Sequence, residues 1–363
     1  MNFKFDIPTS VYFGNGAVRD NSSALVLGKC AFVVAGENSG RRSGALDDVQ
    51  KALDDAEIEY KIFEGIANNP NVLQCKYLGD EAREFGADFI IGIGGGSPLD
   101  AAKAVAVFAL NDIPAGDIFK NEFKNGVLPI VAVPTTSGTG SEVTPWSVMT
   151  WDEIQTKQSF GCDQTYPRMA LLDPRYTESL PQSISLDTAM DAFEHCFESI
   201  ISLKANPITD AMNFYALKLF AECMQPLSRG EFAPIREKLM LISMLGGMTI
   251  SQTGTTLMHA LGYPLTYFKD VPHGRANCMV LPTYIEELKQ YRPDRLKVAL
   301  NALGCSQDEL CKYVKDSYPL SFSATDDELR LWASQTSDKR PDKSTGTPQS
   351  AEHLFEVYKR MFR

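Results

Sequence analysis

Five short, nearly unbroken apolar runs constrain this chain most: CAFVVAG (30–36), YKIFEG (60–65), DFIIGIGG (88–95), LPIVAVPTT (128–136) and MALLDP (169–174). A strand without polar alternation has no face to give to water, so a series of them implies a parallel sheet covered on both sides. The covering helices are also legible. GALDDVQKALDDA (44–56) and PLDAAKAVAVFAL (98–110) repeat apolar residues at helical spacing. After about residue 180 the strand signals stop. Helices are expected over 185–202, over 207–226 with Asn206 as N-cap and Pro207 in the first turn, and over 234–252. A last one, 350–362, has Ser350 as cap and Leu354, Val357, Tyr358 and Met361 on one face. A chain of 363 residues exceeds what one core usually fills. The expectation is an α/β domain over 1–180 followed by an all-helical domain over 181–363.

The net charge of −11, with Lys and Arg scattered, disfavours nucleic acid and anionic membrane as partners. The longest apolar stretch, near 240–250, is broken by Ser243, Gly246, Gly247 and Thr249 and is too short to span a bilayer. MNFKFDIPTS lacks the apolar segment of a signal peptide. Eight cysteines without a C-x-x-C read as reduced thiols, so a cytoplasmic setting is expected.

Two loops carry ligand chemistry. GIGGGSPLDAAK (92–103) closes a strand and opens a helix, with Ser97 as cap and Pro98 in the first turn. Its outward N–H groups and the helix dipole suit a pyrophosphate at Gly95, Gly96 and Ser97. Neither G-x-G-x-x-G nor a P-loop fits it. PTTSGTGSEVTPW (134–146) also follows a strand and crowds Thr135, Thr136, Ser137, Thr139 and Ser141 between glycines. Two such loops on one parallel sheet are the usual setting for a nucleotide.

Histidine is scarce, which makes its placing informative. Asp191 and His195 stand four residues apart in AMDAFEHCFES (189–199), on one helix face beside the apolar stripe of Leu186, Met190, Phe193, Phe197 and Ile200. His259 and His273 bracket HALGYPLTYFKDVPH, read as a short aromatic loop closed by a tight turn at Pro272 and Gly274. One carboxylate and three imidazoles suit a divalent transition metal, Fe²⁺ or Zn²⁺. His353, on the polar side of the last helix, is expected at the surface.

GGGSPLDAAK, PTTSGTGSEVTP, DAFEHCFES and HALGYPLTYFKDVPHG, in that order, resemble the iron-containing (group III) alcohol dehydrogenase family. The likeness runs from IPTSVYFGNGAV through SQTGTTLMHALGYP and weakens over roughly the last 70 residues. It implies a dehydroquinate synthase-like fold: a Rossmann-like dinucleotide-binding domain, then an all-α metal-binding domain, commonly in a homodimer. By position it assigns the metal to Asp191, His195, His259 and His273. It further implies hydride transfer between a primary alcohol or aldehyde and NAD(P), with the ion acting as a Lewis acid. Many members carry a histidine four residues after the first of the last pair; this chain has Tyr263 there, read as lining the pocket. The cofactor-binding set is read as Gly36, Ser39, Arg41, Asn69, Gly95, Gly96, Ser97, Asp100, Thr135, Thr136, Ser137, Thr139 and Lys157.

NADP is favoured over NAD. The second strand ends at Gly36, as in NADP-using members, with Ser39, Arg41 and Arg42 close behind; Glu37, turned inward, would instead favour NAD. The alternatives are a same-fold enzyme of the maleylacetate reductase or dehydroquinate synthase kind, or a nucleotide- and metal-binding protein without turnover. The first would need several cations for an anionic substrate, and only Lys269 and Arg275 stand near the ligands in sequence.

Overall fold

The structure, a computed structural model, describes residues 2–154, 156–339 and 344–362. It divides into two compact units, Asp6–Pro181 and Gln182–Arg363, the latter with Met1–Phe5.

In the first unit the strands are β1 (Ser10–Phe13), β2 (Cys30–Gly36), β3 (Glu59–Ile66), β4 (Phe89–Gly94), β5 (Ile130–Pro134), β6 (Ser147–Trp151), β7 (Thr156–Phe160) and β8 (Met169–Leu172). Six of them form a parallel sheet in the order β1-β8-β5-β4-β2-β3, and β6 pairs antiparallel with β7. Every residue of β4, β5 and β8 is buried, as their unbroken apolar sequence demands, while β1 and β3 are part-exposed edges. The helices are α1 (Ala17–Asp20), α2 (Ser22–Leu25), α3 (Ser39–Ser43), α4 (Ala45–Asp55), α5 (Val72–Phe85) and α6 (Gly96–Leu110). From β2 the chain moves outward to β3, and from β4 it moves the other way to β5. The carboxyl ends of β2 and β4 therefore flank a topological switch point, where open α/β sheets bind ligands.

Among the elements that the sequence patterns do not announce are β1, the β6–β7 hairpin and α5. The edge strand β1 is only four residues long, and the β6–β7 hairpin breaks its apolar residues with Ser, Thr, Lys and Gln, so no long apolar run marks them. In α5 the buried face includes Cys75, Gly79 and Ala82, which are weak apolar signals.

The second unit is helical throughout its described residues: α7 (Gln182–Ile201), α8 (Pro207–Arg229), α9 (Arg236–Thr253), α10 (Leu257–Lys269), α11 (His273–Tyr291), α12 (Pro293–Leu303), α13 (Gln307–Ser317), α14 (Asp326–Lys339) and α15 (Ala351–Met361). Asn206 and Ser350 cap their helices as expected. The expected loop between His259 and His273 is instead mostly α10, and His273 opens α11 with Pro272 at its N-cap. Pro264 reads as a breaker because it lacks the N–H that Ala260 O would accept. The Thr336 hydroxyl reaches that carbonyl at 3.5 Å, and Tyr358 donates to the next one, Leu261 O, at 2.9 Å. The helix can therefore continue. His353 is also not a free surface residue: its Nε2 lies 2.5 Å from buried Glu287, which Arg360 also contacts, tying α15 to α11. No helix among the described residues is long and apolar enough to cross a membrane.

Candidate functional site

Asp191 and His195 lie one turn apart on α7, which is buried from Ala189 to Ile201. His259 stands in the first turn of α10 and His273 begins α11. Bare Cα at Gly274 brings α11 against α7: a Cβ there would lie 2.1 Å from Asp187 O and 3.0 Å from Asp191 Cβ. The four side chains meet. Asp191 Oδ1 is 3.7 Å from His195 Nε2, 3.7 Å from His259 Nε2 and 3.9 Å from His273 Nε2.

Those spacings exceed a hydrogen bond. Metal–ligand bonds of about 2.0–2.2 Å hold tetrahedral ligand atoms roughly 3.3–3.6 Å apart. One ion therefore fits Asp191, His195 and His259, whose ligand atoms all lie within 4.8 Å of one another, with small adjustment, while His273 adjoins them on the side of Asp191. Asp191 Oδ1 is buried with no hydrogen-bond partner among the described residues, an arrangement that costs free energy unless a cation sits there. Burial pushes the Asp191 carboxyl up, but the imidazoles of His195, His273 and His259 outweigh it and hold it well below the usual range. His273 is 33% exposed while the other three side chains are 6% or less, so the cluster opens on one side. Tyr263 stacks on the His273 ring, with centroids 5.6 Å apart and planes 10° apart.

Two carboxylates were overlooked in the sequence. Glu198 is fully buried; its Oε2 contacts His259 Nδ1 and its Oε1 accepts from Thr256 N (2.9 Å), Thr256 Oγ1 (2.5 Å) and His259 N (3.2 Å). Glu194, also fully buried, has its carboxyl pushed well up by burial and by Asp191. The signal was present: Asp191, Glu194, His195 and Glu198 repeat at i, i+3, i+4 and i+7, the spacing of one helix face.

In the first unit, the glycine turn and the hydroxyl loop touch each other. Thr135 N donates to Gly94 O at 2.8 Å. A Cβ on Gly95 would come within 3.1 Å of Thr136 Cγ2, and one on Gly96 within 2.7 Å of Thr139 Cγ2. The hydroxyls of Thr135 and Ser137 are buried without partners among the described residues, donors and acceptors still open to a ligand. The helix begins at Gly96 with Gly95 as cap, so Ser97 is not the cap; its Oγ accepts from Asn69 N at 3.1 Å. Lys157 in turn donates to Asn69 Oδ1 at 2.6 Å, and burial pushes its ammonium down to about 8. Ser97, Asn69 and Lys157 thus form one chain of contacts beside the turn.

Three residues of the expected set are placed differently. Asp100 spends its carboxylate inside, accepting from Ser141 Oγ (2.6 Å) and Val148 N (2.8 Å), alongside the fully buried Lys103, which donates to Ser141 Oγ and Trp146 O. The space beside Gly36 is taken up by Ser39 Oγ, 2.4 Å from a Cβ built there, with the Pro98 ring at 3.1 Å. Arg41 is exposed on α3 and held by Glu64 through Nε (3.1 Å) and Nη2 (2.5 Å). Arg42 is exposed on the same turn.

The family model described as iron-containing alcohol dehydrogenase matches residues 8–174, and that described as Fe-containing alcohol dehydrogenase family, C-terminal, matches residues 185–320. A sulfoacetaldehyde reductase of Bilophila wadsworthia is 33% identical over 84% of this chain and 80% of its own. An NADPH-dependent butanol dehydrogenase of Clostridium saccharobutylicum is 32% identical over 78% and 73%. Among solved structures, an iron-containing alcohol dehydrogenase of Thermotoga maritima superposes with a TM-score of 0.92 at 36% identity, covering 99% of both chains.

Proposed function

Since this chain belongs to the iron-containing alcohol dehydrogenase family, we propose that it interconverts an uncharged primary alcohol and its aldehyde with NADP(H), using an ion held by Asp191, His195, His259 and His273. The observation that carries the reading is the convergence of the three imidazoles on one oxygen of Asp191. An iron-type divalent ion held there would supply Lewis-acid chemistry to the substrate oxygen. Asp191 and Glu198 bring the negative charge that offsets such an ion, and His273 stands on the side open to substrate. Tyr263, stacked flat, holds the His273 ring in orientation.

An uncharged substrate is favoured because both nearby cations are engaged. Lys269 pairs with Glu328 at 2.7 Å, and Arg275 binds Asp187 through two nitrogens. A site of the maleylacetate reductase kind would need them free. Turnover across aldehydes graded in length and charge tests this: sulfonated or carboxylated aldehydes should lose to butanal-sized neutral ones. A preference for the anions would overturn the substrate class.

The NADP preference rests on the absence of an acidic side chain at Gly36, with Ser39, Arg41 and Arg42 around it, and is in keeping with the NADPH-dependent relative. Arg41 would exchange Glu64 for the 2′-phosphate. Replacing Arg41 and Arg42 with alanine should lower kcat/KM for NADPH roughly ten- to hundredfold, the worth of one charge-assisted contact, and leave NADH unchanged. Wild-type preference for NADH would point to Glu37 instead. A homodimer and a cytoplasmic setting belong to the same reading; all eight cysteines are free.

A further inference from the structure

We infer that Glu198 is a positioning residue for the metal: one carboxylate both caps α10 and sets the tautomer of His259. The inference rests on His259 being a ligand.

The N-terminus of α10 has no cap of its own. Thr256 occupies the N-cap position and its side chain bonds no N–H of the first turn. The duty passes to another helix, because Glu198 Oε1 accepts from His259 N, from Thr256 N and from the Thr256 hydroxyl. That hydroxyl lies 2.8 Å from the Tyr284 hydroxyl, which fixes its direction further. The second oxygen, Oε2, meets His259 Nδ1. Backbone and ring of one ligand are therefore held by a single buried group.

The consequence is tautomeric. A neutral imidazole has one N–H and one lone pair. The carboxylate can only accept, so the proton sits on Nδ1 and the lone pair on Nε2, the nitrogen that faces Asp191. Glutamine at this position separates the two duties. Three donors converge on Oε1, so its carbonyl oxygen must stay there. Its amide N–H₂ then faces Nδ1, which must accept, and the imidazole proton moves to Nε2, where it points at the ion's place.

The test uses the full chain, stripped by chelator and titrated with Zn²⁺ against a competing chelator. Glu198→Gln should melt like wild type when metal-free, yet bind Zn²⁺ about 10–100-fold more weakly, with the ¹⁵N shifts of His259 reporting the exchanged tautomer. Glu198→Ala, which loses the cap as well, should lower both the metal-free melting point and the affinity. Wild-type affinity in Glu198→Gln overturns the inference. So does a metal-free melting point as low as that of Glu198→Ala, since the cap would then not have survived. His273→Ala serves as reference: if it too keeps wild-type affinity, the ligand set itself is wrong. If it alone loses the ion, only the role of Glu198 falls.

Discussion

The two binding regions of this molecule are made of different material. Around Asp191 the site consists of side chains fixed on three helices, all buried but His273. Around Gly96 it consists of bare backbone and short hydroxyls, where the feature that matters is how closely two loops approach. A site of the first kind fails when a named atom is removed. A site of the second kind fails when an atom is added.

Four measurements press on that contrast. The largest effect belongs to His273→Ala, which removes a ligand atom. It should cost more than the ~10–100-fold in metal affinity typical of an outer partner, abolish turnover and leave NADPH binding intact. Full metal occupancy by elemental analysis would break the contrast at its stronger end. Gly96→Val comes next. Its Cβ would fall 2.7 Å from Thr139 Cγ2, and overpacking of about 1–3 kcal/mol corresponds to roughly 5–150-fold in cofactor KM, with metal content unchanged. An unaltered KM would mean that the backbone there does not meet the ligand.

A smaller, graded effect concerns Lys157, whose pKa is depressed to about 8 by burial. A lysine with a lowered pKa carries its charge below that value and loses it as pH rises through it. NADPH affinity should therefore be flat to pH 7 and weaken up to about tenfold by pH 9, where roughly a tenth of the ammonium remains. Lys157→Arg should move that limb to higher pH, as fluorescence titration would reveal; a limb unmoved by the change would assign it elsewhere. The smallest effect is Tyr263→Phe. If the ring positions His273 by stacking, phenylalanine keeps kcat, while Tyr263→Ala loses the ~0.5–1.5 kcal/mol of an aromatic pair, a factor of about 2–10. A large loss in Tyr263→Phe would give the hydroxyl a direct part in proton transfer.

The same contrast explains what was legible in the sequence. Helical periodicity put Asp191 and His195 on one face without any fold in hand, since i and i+4 neighbours meet in every α-helix. Apolar runs located β2, β4, β5 and β8, because burial on both faces leaves no alternation to read, and they located the part-exposed edge strand β3 as well. What was hidden depended on tertiary partners. Glu198 matters through Thr256 and His259, 58 and 61 residues away. Pro264 reads as a helix breaker until Thr336 is seen beside the freed carbonyl. Asp100, taken as a ligand for cofactor, turns inward because Ser141 and, from β6, Val148 reach it through contacts that no local pattern announces. Gly36 offers open space on paper, and in the fold Ser39 fills it.

The seating of β8 has a consequence for synthesis. This strand lies between β1 and β5, and the Thr9 hydroxyl reaches Pro167, 158 residues along the chain. A growing polypeptide makes β1 first and β8 last of the six, so until Met169–Leu172 emerges β1 has no neighbour and β5 shows an open edge. Such distant pairings form slowly, because loop closure must precede any gain from the contact. This half of the protein therefore commits to its shape only when the last of its sheet strands has been made, and a ribosome pausing shortly before residue 169 would present an unpaired apolar edge to its surroundings.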